Sequence, residues 1–294
     1  MKTKQAYATL PHVSGFIDWL AAQLDSRTLF NHQYVERRSR KEWSCDSLFG
    51  AYESYSWSFP GNARLAYNSG SCSTSNAKAL EALRQDLLAS GTDDTLVLQA
   101  ATDVMAWGGV IARNVGWLKA NKVGLGRMIQ EVKIALIQKD PDAPVLRSKA
   151  LRFNAGMTKI YSLICPDFLI YDSRVAAALG LLVVHYCKAK GLTQVPSALC
   201  FPWACAKENE NVSAPKRRNP STGTLQFTRL RSGSHHARWN MRANWVLSQV
   251  IAHQAAALSP FQQIDAPANA LRGLEQALFM MGYDLGHAGQ VSNG

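Results

Sequence analysis

The sequence predicts an all-α protein with long irregular loops, and three observations lead to that class. Apolar residues recur at helical spacing in segment after segment, with capping or turn residues at several of their ends. At 47% hydrophobic over 294 residues, the chain has enough apolar mass for a buried core in one large domain or two closely packed ones. No apolar run reaches the roughly 18 to 20 residues that spanning a bilayer requires. The opening "MKTKQAYATLPHVSG" also lacks the apolar block of a signal peptide, so no membrane partner and a cytoplasmic location are expected.

Taken in order, Ser14 is a candidate cap for a helix carrying Phe16, Ile17, Leu20 and Leu24, and Ser75 for one carrying Leu80, Leu83, Leu87 and Leu88. Further helices are expected over about 94–106, 126–138, 173–190, 240–257 and 268–281. The last is amphipathic, with Leu271, Leu274, Leu278 and Met281 in one stripe and an Arg272–Glu275 pair at i, i+3, and reads as scaffold. Residues 50–74, rich in aromatics, Gly and Ser, read as a turn-laden connector with one short strand or helix. Residues 205–238 form a second long irregular segment, of the kind that is uncommon unless it binds something or is disordered.

The six cysteines are dispersed, with no C-x-x-C pair and no Cys/His run at zinc spacing, so free and mostly buried thiols are expected, and no metal. A formal charge of +11 favours a polyanionic partner. Much of the excess sits in "YVERRSRKEW" and between Lys207 and Arg242, two clusters that either converge on one face or form separate solvated loops.

One stretch, "NAGMTKIYSLICPDFLIYDSRVAAAL", combines several signals. Asn154, Gly156 and Thr158 suit a turn into a helix over about 157–165, which Pro166 stops. "DFLIY" is expected to return extended, with Asp172 as N-cap of the next helix. Eight helical residues rise roughly 12 Å. Six or seven extended ones, at up to about 3.3 Å each, cover that distance in reverse. Lys159 and Asp172 are thus expected at the same end of the helix pair. A carboxylate placed near a sugar C1′ stabilises the positive charge that develops when a glycosidic bond breaks. A deprotonated lysine beside it is able to attack C1′ and form a Schiff base.

"FLIYDSRVAAAL", preceded by "AGMTKI", resembles the helix-hairpin-helix DNA glycosylase superfamily. "MAWGGVIARNVGWL" resembles its prokaryotic 8-oxoguanine-glycosylase-like branch. The likeness spans about residues 100–190, with "FNAGM" in place of the usual glycine-rich hairpin and a shorter interval from lysine to aspartate. It implies two helical subdomains, about 1–145 and 146–294, flanking a DNA-binding cleft. By the resemblance Asp172 is the catalytic aspartate and Lys159 the nucleophile, Lys149 being a second lysine available, and no cofactor is required. Trp107, Gly108, Gly109 and Asn114 become base-pocket candidates. Asn154, Gly156, Thr158, Arg174, Arg217 and Arg218 become DNA-contact candidates, and Trp239, set among basic residues, is the preferred exposed aromatic. The expected partner is double-stranded DNA with a base flipped out. The expected reaction is excision of an oxidised purine or, in an antiviral role, of a bulky modified cytosine of phage DNA. The rival expectation is a non-enzymatic nucleic-acid-binding protein on the same scaffold, and a helical adaptor is a third.

Overall fold

The computed structural model describes residues 3–37, 39–208, 215–266 and 269–286. Among them the protein is mainly helical, as expected from its periodicity. The N-terminal part holds α1 (Lys4–Ala8), α2 (Pro11–Gln23), hairpin β1 (His32–Val35) with β2 (Glu42–Cys45), and α3 (Leu48–Glu53). A second hairpin, β3 (Ser56–Phe59) with β4 (Gly70–Cys72), leads into α4 (Ser73–Ala89) and α5 (Asp94–Trp107). There follow α6 (Ile111–Ala120), α7 (Leu125–Ile137), α8 (Pro144–Arg147), α9 (Met157–Ile164), α10 (Ser173–Ala189), α11 (Ser234–Ala252) and α12 (Ala270–Met281). No helix among the described residues is long and apolar enough to cross a membrane.

Local chemistry explains most helix ends. Asp93 caps α5 by accepting from the amides of Thr95 at 2.8 Å and Leu96 at 3.0 Å. The neighbouring Asp94 carboxylate accepts from Gly124 and Gly126, tying the start of α7 to α5. The "AWGG" stretch ends α5 as a C-cap, with Gly109 at φ +62°, a left-handed angle that costs glycine little. Two expected caps are corrected. Pro11, not Ser14, opens α2, because its fixed φ suits the first helical position and its missing N–H is not needed there. The α4 helix opens at Ser73 rather than Ser75, whose hydroxyl bonds back to the Cys72 carbonyl. The 50–74 connector holds a two-stranded hairpin where one short element was expected, and β1–β2 was not anticipated at all.

Packing places α10 at the centre. It is apolar over most of its circumference and buries Val175, Leu179, Leu182, Val183 and Cys187. It packs on α12 and α2, α12 packs on α3, and α11 packs on α2. The α4, α5, α7 and α9 helices pack among themselves, with α6 laid on α5. The expected irregular segment ends at 233, because α11 opens at Ser234 rather than near 240; its described part up to there is ordered by bonds rather than by regular elements, with Trp203 N donating to the Thr228 carbonyl and Leu230 N to that of Trp203. Its residues 209–214 lie outside the described residues. Of the six free thiols only Cys165 and Cys187 are buried, whereas Cys72 and Cys205 are exposed, which corrects the expectation of mostly buried ones.

Candidate active site

The turn before α9 is built by one side chain. Asn154 Oδ1 accepts from the amides of Gly156 at 2.9 Å and Met157 at 3.0 Å, satisfying donors that a helix start leaves orphaned. Thr158 is buried and returns its hydroxyl to the Ala155 carbonyl, so it belongs to the helix rather than to any pocket. After α9 the chain turns at Pro166 and Asp167, runs back through Phe168–Tyr171, and starts α10 at Asp172. The Asp172 cap is realised: Oδ1 accepts from Arg174 N at 2.8 Å and Val175 N at 3.1 Å. The second oxygen is left over, and Lys159 Nζ stands 3.8 Å from it. Both side chains are largely withdrawn from solvent, at 8% and 14% exposure, which makes this a desolvated pair rather than a surface contact.

Burial is the largest influence on Lys159 and pushes its pKa below the usual lysine range, against the pull of Asp172 and then Glu275. A lysine so placed is easier to find as a free amine, which is the form that attacks carbon. Gly108 leaves room for it. A methyl group there would lie 2.7 Å from Lys159 Cε and closer still to Cδ, although Gly108 itself has an ordinary helical φ of −77°.

The pair opens into a cavity of about 20 Å³ lined by Trp57, Trp107, Val175, Glu275, Gln276 and Phe279, among others. That is room for about one water molecule. Two walls are locked by hydrogen bonds. Trp57 Nε1 donates to the Trp107 carbonyl at 2.9 Å, and Trp107 Nε1 donates to buried Asn76 Oδ1 at 3.1 Å. Asn76 in turn donates to the Trp57 carbonyl at 3.0 Å. The opposite wall is α12. Glu275 is buried there, accepts from Ile170 N at 2.6 Å, and takes both oxygens to Arg272 Nη1. Burial pushes its carboxyl up, opposed by Arg272. The Arg174 guanidinium lies 4.1 Å from the ring centre of Phe279, a wall residue, and 4.8 Å from that of Tyr283, in cation–π contact.

Behind the site, His236 fixes the backbone. Its Nε2 lies 2.8 Å from the Tyr171 carbonyl, and since a carbonyl only accepts, Nε2 carries the proton. Burial lowers its pKa to about 4, so the ring is neutral at pH 7.

Lys159, Asp172, Trp107 and Gly108 thus come together, with Gly109 at the edge against Trp57. Asn114, Asn154 and Gly156 meet elsewhere, where Asn114 Oδ1 accepts from Arg152 Nε and Asn154 Nδ2. Three candidates are corrected. Trp239 is buried rather than exposed, edge-on to Phe201 and covered by Arg242, because helical spacing turns it toward the core. Arg218 is also buried, donating to the Tyr283 carbonyl at 2.9 Å and to Ser173 Oγ at 2.6 Å. Arg217 spends its guanidinium on the carbonyls of Asn219 and Ser221. Arg218 holds the 215–221 segment against the C-terminal turn, while Arg217 braces the segment itself and reaches that turn at the Gly286 carbonyl, 3.4 Å away.

Glu275, Gln276 and Phe279 escaped the sequence reading, which took α12 as scaffold. The signal was present: Glu275 is four residues beyond Leu271, so a carboxylate occupies the apolar stripe. Comparison of the chain with protein-family models, with curated proteins and with solved structures returned no match.

Proposed function

We propose that the protein is a DNA N-glycosylase that removes a modified base, with Asp172 as the electrostatic partner of the developing sugar cation. The observation that carries this reading is the Lys159–Asp172 pair: a free carboxylate oxygen and a desolvated lysine 3.8 Å apart, facing a cavity walled by aromatics. On this reading the C1′–N bond breaks with its electrons passing to the base, and Asp172 Oδ2 stabilises the positive sugar. A water then adds to C1′ and releases its proton. If Lys159 attacks in place of water, the product is an imine to the sugar, from which elimination of the 3′ phosphate nicks the strand. The net charge of +11 supports a polyanionic partner. On this reading two helical subdomains, about 1–145 and 146–294, flank the DNA-binding cleft, and the cytoplasm is the expected compartment. Oxidised purine and bulky modified cytosine are the two base classes to compare, the second corresponding to an antiviral role.

The size of the cavity favours one alternative, a nucleic-acid-binding protein without chemistry, since about 20 Å³ admits no base until wall side chains move. The deciding experiment incubates the protein with DNAs of differing modification and identifies released bases by mass spectrometry. Release that disappears in Asp172→Asn and yields a borohydride-trapped adduct only with Lys159 present establishes a glycosylase with lyase activity. Tight binding with no released base from any DNA establishes the alternative.

A further inference from the structure

A second cavity, of about 440 Å³, opens between the loop after α8 and the start of α11, lined by Trp117, Arg147, Lys149, Arg152, Ser232 and Ser234 among others. No Asp or Glu contributes to it among the described residues. Arg147 and Lys149 are exposed there, and neither enters an ion pair among the described residues. Arg231 stands next to this wall; burial first, and then the charges of Arg231, Arg238 and Arg242, push the His235 pKa down, so these cations lie around the start of α11, with Arg238 paired to Asp142 at 3.1 Å. Gly233, at φ +76°, hydrogen-bonds the Phe153 carbonyl at 2.7 Å and clamps the two walls together. The helix that begins there, α11, has no side-chain cap and no acidic residue in its first turn, so its positive end faces the same space.

The turn before α9, where the glycosylase resemblance implies a phosphate contact, has the amides of Gly156 and Met157 already taken by Asn154. We propose that the cationic cavity at Arg147, Lys149 and the α11 N-terminus is the site that anchors a nucleic-acid backbone phosphate, in place of the α9 turn. The proposal rests on the reading of the chain as acting on DNA and extends it. Asn154, which also lines this cavity, lies just ahead of α9, and Lys159 sits in the first turn of that helix. The cavity and the Lys159–Asp172 pair therefore flank the start of one helix, so a phosphate held here would place the adjoining nucleotides on the side of that pair.

The test compares Arg147→Ala/Lys149→Ala with Lys188→Ala/Lys190→Ala, which removes equal charge from the far end of α10, in binding unmodified duplex DNA across a salt series. Base release from modified DNA and binding of inorganic phosphate are followed on the same proteins. The expected result is a slope of log affinity against log salt that falls by about 2 in the first variant only, with affinity near 0.1 M salt down at least 10-fold. Equal slopes for both variants, or no duplex binding by the unaltered protein, overturn the proposal. So does inorganic phosphate binding at this cavity with duplex binding unaffected by the Arg147→Ala/Lys149→Ala change, which assigns the site to a small anion. Base release judges the enzyme separately: it persists if only the anchor is wrong, and it is absent while the slopes still differ if only the glycosylase reading is wrong.

Discussion

Lys159 and Asp172 meet through a single carboxylate oxygen, Nζ standing 3.8 Å from Oδ2 while Oδ1 is held by the amides of Arg174 and Val175. The aspartate therefore has two separable duties, one per oxygen, and each responds to a different substitution.

Asparagine caps a helix about as well as aspartate, whereas alanine at a cap costs about 1 kcal/mol. Asp172→Asn is expected to leave unfolding free energy within about 0.5 kcal/mol of the parent and Asp172→Ala to lower it by about 1 kcal/mol. Both should reduce base release at least about 100-fold. Urea melts beside a mass-spectrometric release assay check this, and normal release by Asp172→Asn would confine the residue to its cap.

Gly108→Ala introduces no backbone strain, so its effect runs through Lys159. Overpacking of this kind costs about 1–3 kcal/mol. The double variant Gly108→Ala/Lys159→Ala should lose clearly less than the sum of the single changes, because the clash disappears with the lysine. Additive losses in chemical denaturation would show that the methyl group strikes something else.

His236 makes stability depend on acid. Its folded-state pKa of about 4 lies below the ordinary 6.5, so as pH falls the unfolded chain takes the proton first. The contribution is complete above about pH 6.5 and is lost as pH falls through about 4, amounting to about 3 kcal/mol. His236→Gln keeps a donor for the Tyr171 carbonyl without the titration. Denaturant midpoints measured between pH 7 and pH 4 should drop less steeply in this variant, and parallel curves would remove His236 from the account.

Arg218 and Trp239, which the sequence suggested as DNA contacts, are expected to behave as core. Arg218→Ala leaves the Tyr283 carbonyl and Ser173 hydroxyl without a charged donor and should cost about 2–3 kcal/mol. Trp239→Ala should cost about 3–5 kcal/mol. Duplex affinity of either folded variant should stay within about threefold of the parent, and a larger fall without loss of stability would restore them to a binding surface.

Much of the site was legible because it depends on local chain geometry. A cap residue, a helix of known rise and an extended return of known length bring Lys159 and Asp172 to one end of a helix pair whatever surrounds them. The α12 wall was not legible in the same way. Its Arg272–Glu275 pair follows from i, i+3 spacing, but Glu275 is also buried against the backbone of Ile170, which lies 105 positions away. No local pattern reports a partner at that separation.

Charge divided along the same line. The excess of basic residues is a property of composition, and composition by itself favoured a polyanionic partner. Which arginines remain available was decided by folding. Arg217 is drawn into carbonyl bonds within its own segment and Arg218 into one with the C-terminal turn, while Arg147 and Lys149 stay free of ion pairs among the described residues beside the start of α11. Periodicity and capping determine where helices begin and how adjacent ones are aimed, because those energies act within a few residues. Burial, the lowered pKa of Lys159 and the choice of exposed cations come from segments far apart in the chain, and only their packing against one another excludes the water that would otherwise equalise them.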